Sequence, residues 1–83
     1  MTDRELLMVV GHAYICQSCQ ARLLADPART LAGQRLGSQE REKIANLNGE
    51  SFSSLTALAA AIGATTAELY AIMDEPRCRL RHF

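Results

Sequence analysis

"LAAAIGATTAELYAIM", Leu58 to Met73, decides how this chain is read. Alanine and leucine lose little freedom on entering a helix, and Leu58, Ala59 and Ile62 recur at helical spacing before Gly63. Glycine ends a helix well because it takes the left-handed conformation without steric cost. Thr65 or Thr66 then offers a hydroxyl cap to a second helix, "AELYAIMDE", which Pro76 stops. Leu58, Ile62, Ala64, Leu69 and Ile72 supply a shared apolar core, and Ala59 allows a close crossing. The stretch predicts two helices closing around a glycine corner.

Working outward, the same signals divide the rest of the chain. Ser51 caps "FSSLTALAAAI", and Asn48-Gly49 marks a turn before it. Ser38 caps "QEREKIANL", where Ile44 and Leu47 share one face and Arg41, Glu42 and Lys43 lie mostly on the other. Asp26-Pro27 is an N-cap followed by proline at the first helical position, starting a helix that runs to about Leu36 and ends at Gly37. The first helix is predicted to run unbroken from Asp3 or Arg4 to about Ala25. Its polar stripe is narrow, formed by Arg4, Gly11, Ser18 and Arg22, and apolar residues occupy most of the remainder. A helix apolar nearly all round needs cover nearly all round. The expectation is therefore an all-α single small domain over residues 1–76, an orthogonal bundle of about five helices. Residues 77–83, "RCRLRHF", form a basic C-terminal tail. A second chain is expected to cover what the bundle leaves open, with Met8, Val9, Ile15 and Leu23 as partner-binding residues.

Composition narrows the function classes. Eighty-three residues hold one core, with no Trp and only Tyr14, Phe52, Tyr70 and Phe83 as aromatics. The formal charge is zero, which removes the simplest electrostatic case for nucleic acid or an anionic membrane. The opening "MTDRELLMVVGHAYIC" carries charge early and lacks the basic region of a signal peptide. Its apolar runs are too short and interrupted to span a bilayer. These features predict a cytoplasmic protein without a membrane partner, in which three cysteines remain thiols.

The glycine corner has the form of a helix-turn-helix, and "SSLTALAAAIGATTAEL" resembles the Cro/repressor-like family. That family uses a similar phrase in its DNA-reading pair and again in closing helices that only pack. The phrase here is more similar to the closing one, because its exposed candidates are Thr65, Thr66, Glu68, Tyr70 and Asp74, two of them acids that would face phosphate. The reading pair would then be "RTLAGQRLGSQEREKIANL". In that pair Gln39, Arg41 and Lys43 could meet DNA, with Arg77, Arg79 and Arg81 of the tail on phosphates. The segment from Ala32 to Gly37 is one residue longer than the family's tight corner, and Gly33 falls inside its first helix. A solvated basic terminus is the plainer reading of the tail arginines.

"RLLADPARTLAGQRLGSQEREKIANL", Arg22 to Leu47, is similar to a different pattern. It resembles the small helical (alpha) subunit of extradiol ring-opening dioxygenases and the related leader domains of ribosomal peptide precursors. Leu24, Asp26, Pro27, Leu31, Leu36, Glu40, Arg41, Ile44 and Leu47 carry the likeness. In the dioxygenases that subunit covers the catalytic chain without ligating iron, and in the precursors the domain is gripped by a modifying enzyme. Both versions of the resemblance imply docking onto a larger protein.

Every Cys and His lies in one of two clusters, His12, Cys16 and Cys19 near the start, then Cys78 and His82 near the end. Steps of four and three place the first three on one helical face, and Cys78 and His82 repeat the step of four. Thiolate and imidazole are ligands that zinc prefers, and four of the five would complete a tetrahedron. Against that, Cys16 and Cys19 behave as small hydrophobes on an apolar helix, and Cys-x-x-Cys within a continuous helix lacks the turn of most zinc knuckles. No cofactor is therefore expected, with zinc at these five residues as the alternative. No acid, base and nucleophile set can be assembled, so an enzyme is not expected. The leading expectation is a non-catalytic helical protein-binding module, docking on a larger enzyme or self-associating as a dimer. A small DNA-binding regulator is the runner-up.

Overall fold

The first long apolar stretch is two helices. A computed structural model describes residues 3–80, in which α1 spans Arg4–Ile15 and α2 spans Gln17–Ala25. Cys16 between them is extended (φ −121°, ψ 105°). The break costs the Ala13 carbonyl its helical partner, and the Gln20 side-chain amide reaches back to supply one at 3.2 Å. The helix is interrupted there, and α2 contacts α1 with its Cys19 and Leu23 buried. A single helical projection across Arg4, Gly11, Ser18 and Arg22 therefore does not hold.

The remaining elements are α3 (Pro27–Thr30), α4 (Ser38–Ala45), a 3-10 turn (Gly49–Phe52), α5 (Leu55–Ile62), α6 (Thr66–Met73) and α7 (Pro76–Arg79). The fold is all-α, with seven α-helices and no strand among the described residues. The glycine corner is present as predicted. Gly63 is left-handed at φ 73°, and the Ala64 amide closes onto the Ala59 carbonyl at 2.9 Å in the usual glycine C-terminal motif. Thr65 and Glu68 then cap α6 reciprocally: the Glu68 amide donates to the Thr65 hydroxyl, and the Thr65 amide to the Glu68 carboxylate. The axes of α5 and α6 cross at 108°. Ser54, three residues later than the predicted Ser51, caps α5. Ser51 instead pairs with Asn48 in a capping box that holds the 3-10 turn and turns Phe52 into the core.

Two segments depart further from the sequence reading. The helix begun by Asp26-Pro27 lasts one turn, because Leu31 turns into the core and Gly33 adopts φ 95°. The loop that follows is held by Arg41, whose guanidinium donates to the carbonyls of Leu31, Gln34 and Leu36 at 2.8–3.2 Å. The Leu31 carbonyl also takes the Gln34 amide and the Gln34 carbonyl the Leu36 amide, as turns do, and the planar five-donor fork of arginine adds a bond to each of the three acceptors at once. Arg41→Ala is expected to lower the unfolding free energy in urea by about 2 kcal/mol. Arg41→Lys should recover little of it, since a single ammonium cannot span the three carbonyls.

The second departure is at the C-terminal end. Pro76 ends α6 and also starts α7, at the first helical position that proline suits. The boundary drawn at Pro76 thus falls at the start of a structural element, and Cys78 is fully buried. An exposed ion pair between Arg4 and Glu75 joins the start of α1 to the start of α7. Arg81 and His82 lie outside the described residues.

These departures explain how α1 is covered. Leu6, Leu7, Met8, Val9, Val10 and Ala13 are all buried, and the cover comes from α2, α6 and α7 of the same chain. Gly11 is buried as well, which corrects its place on the polar stripe. A Cβ there would lie 3.2 Å from Ile72 Cγ2, 3.2 Å from Met73 Cγ and 3.3 Å from Cys78 Sγ. Glycine is the residue that lets α6 and α7 approach α1 this closely. No single helix among the described residues is long and apolar enough to cross a membrane.

Candidate functional site

The most chemically distinctive group is built at the break after α1. His12, Cys16 and Cys19 bring Nε2 or Nδ1 and two Sγ atoms within 4.8 Å of one another. The sequence spacing pointed to this convergence, but the mechanism differs from the one expected. Cys16 is the N-cap of α2 and Cys19 lies in its first turn, so Cys-x-x-Cys straddles a turn rather than lying inside one helix.

His12 is the buried polar side chain of the core and is oriented from both sides. Its Nδ1 lies 2.6 Å from the Cys78 backbone carbonyl. A carbonyl only accepts, so Nδ1 carries the proton and donates. In that tautomer Nε2 is the accepting nitrogen, and it faces the Cys19 thiol at 3.3 Å. The Cys78 carbonyl also takes the Leu80 amide within α7. The thiol of Cys78 turns elsewhere, donating to the Met8 carbonyl at 3.6 Å. Cys78 therefore joins the group through its backbone, a role its side-chain identity does not signal. Cys19 is buried, whereas Cys16 is only partly so and lies 3.3 Å from the Ser18 hydroxyl.

The residues expected to bind a partner separate into two kinds. Met8, Val9 and Leu23 are buried inside the monomer, at 5%, 0% and 1% exposure, so they are not a surface. The reason is the cover that α2, α6 and α7 give α1. Ile15 is exposed, and the described residues add Tyr70 and Leu80 as further exposed large apolar side chains. Leu80 was missed because the segment after Pro76 read as a loose tail.

The residues of the DNA reading do not assemble into a reading helix. The first helix of the pair is a single turn, and Arg41 is committed to three loop carbonyls. Gln39 and Lys43 are exposed on α4, which packs on α3 and α5. Arg77 and Arg79 are exposed on α7, which packs on α1 and α6. Glu68, an apparent misfit in a recognition helix, is accounted for by its cap with Thr65.

The Asp-Pro pattern is likewise explained by folding. Asp26 caps α3, Leu31, Ile44 and Leu47 are buried, and Arg41 holds the loop. Comparisons with family models, with curated proteins and with solved structures gave no significant match.

Proposed function

We propose that this chain is a non-catalytic helical module that binds another protein, a larger chain or a second copy, through the end where α1 and α7 meet. The observation that carries this reading is the exposure of Ile15 (42%) and Leu80 (76%). Ile15 lies one helical turn beyond His12, and Leu80 lies two residues beyond Cys78. Each is thus within three residues of the hydrogen bond that joins α1 to α7. Large apolar side chains exposed near one junction are what a docking patch presents. We take the setting to be the cytoplasm, where thiols stay reduced.

Ile15→Ser combined with Leu80→Ser tests this. Both side chains are exposed, so thermal stability should change by no more than about 0.5 kcal/mol. Wild-type protein is expected either to sediment as a dimer or to retain a stoichiometric partner from extract, and the double variant to do neither. Identical mass and identical retained proteins for both forms would overturn the reading.

A further inference from the structure

We infer that His12, Cys16 and Cys19 form a binding site for a thiophilic divalent cation, zinc above all, at the break between α1 and α2. Two thiolates and one imidazole are a donor set that selects zinc over the oxygen-seeking cations. Their ligand atoms lie within 4.8 Å of one another. Zinc–sulfur and zinc–nitrogen bonds of about 2.3 and 2.0 Å at tetrahedral angles place sulfur–sulfur pairs about 3.8 Å apart and sulfur–nitrogen pairs about 3.5 Å apart. The His12 Nε2 to Cys19 Sγ distance, 3.3 Å, is already close to that. Closing the site requires a movement of no more than about 1.3 Å, which the partly buried Cys16 can make.

Three features favour a ligand here over a pair of packed thiols. The Nδ1–H of His12 is held by the Cys78 carbonyl at 2.6 Å, the outer-shell bond that zinc-ligating histidines make to fix the tautomer. That bond leaves Nε2 turned to the Cys19 sulfur at 3.3 Å. Cys16 occupies the N-cap of α2 and Cys19 its first turn, so this Cys-x-x-Cys straddles a turn as zinc-binding pairs do. The positive end of the α2 dipole meets both cysteines there, which favours negatively charged thiolate ligands. Binding is written as the cation displacing the two thiol protons, giving a neutral centre with one imidazole and releasing two protons to solvent. Three protein ligands leave a fourth position, and because Cys16 is only partly buried, water or a group from a bound protein could fill it. The cation would stiffen the α1–α2 break next to Ile15. The site stands independently of the docking reading, because its residues are chosen by chemistry and not by exposure.

Cobalt titration of the reduced, untagged full chain tests it. One equivalent of Co2+ is expected to give sulfur-to-cobalt charge transfer and tetrahedral ligand-field bands, both abolished by added Zn2+. Cys16→Ser should bind on the order of tenfold more weakly or worse, with helical circular dichroism unchanged, while Cys78→Ala binds normally. Should Cys16→Ser lose helicity, a second readout serves: Zn2+ should protect Cys16 of the native protein from iodoacetamide. Absent cobalt–thiolate bands, equal binding by Cys16→Ser, or undiminished alkylation of Cys16 in saturating Zn2+ would each overturn the site. A reduced protein that takes no metal but readily oxidises to a Cys16–Cys19 disulfide would do the same and mark the pair as redox-active.

Discussion

Gly11→Leu is expected to destabilise the protein by about 3 kcal/mol or more, enough to leave a domain of this size largely unfolded in mild urea. Even a methyl group at this position would stand 3.2–3.3 Å from Ile72, Met73 and Cys78, closer than ordinary contact. Ile72 and Cys78 are buried, so neither can swing into solvent. A leucine must push α6 and α7 away from α1, opening the contact that covers the central helix. Gly11→Ala should be far milder. Alanine gains about 1 kcal/mol over glycine in a helix interior, which offsets most of the crowding. The pair of variants separates the two effects: a large loss for leucine beside a small change for alanine marks steric approach as the reason for glycine. Equal, small effects in urea denaturation would mean that α6 and α7 do not sit against α1 as described.

His12→Ala carries the second large effect, a loss of about 3 kcal/mol. The imidazole is 1% exposed, so its removal leaves a cavity in the core. It also removes one of two side-chain hydrogen bonds between α1 and Cys78 of α7, leaving that from the Cys78 thiol to the Met8 carbonyl. The Cys78 carbonyl keeps the Leu80 amide as a donor, which holds the penalty below that of a fully orphaned group. The effect should be uneven along the chain. Amide hydrogen exchange is expected to rise most at Cys78, Arg79 and Leu80, while the α5–α6 corner, with its own caps, is affected least. Uniform acceleration in both regions would show that His12 does not anchor α7 in particular.

What the sequence disclosed follows the range of the interactions concerned. The α5–α6 corner was legible because its determinants are local: Gly63 for the left-handed residue, then Thr65 and Glu68 three residues apart for the cap. Asp26-Pro27 was legible for the same reason. The break at Cys16 was not, since no proline or glycine marks it and its compensation comes from Gln20 reaching back to Ala13. The short α3 and the loop after it depend on Arg41, whose partners lie five to ten residues away and are backbone carbonyls. Nothing in the spacing of an acidic-basic helix distinguishes an arginine for such carbonyls from one for phosphate.

The functional residues divide in the same way. The convergence of His12, Cys16 and Cys19 was written in their spacing, whereas the part of Cys78 was hidden because it acts through a carbonyl. Apolar residues on every side of α1 were read as a demand for a partner. The chain meets that demand internally, through the contacts of α2, α6 and the α7 that Pro76 starts. Among the described residues, what remains exposed is smaller: Ile15 at the end of α1, Leu80 just after α7 and Tyr70 on α6.

Photo-crosslinking tests the docking role most directly. A photoreactive amino acid placed at Leu80, and separately at the exposed Glu50 on the 3-10 turn, would be irradiated in cells expressing the full chain. The account predicts one discrete crosslinked species from position 80, lost when Ile15→Ser is added, and none from position 50. No discrete species at position 80, or the same species at both positions, would contradict it.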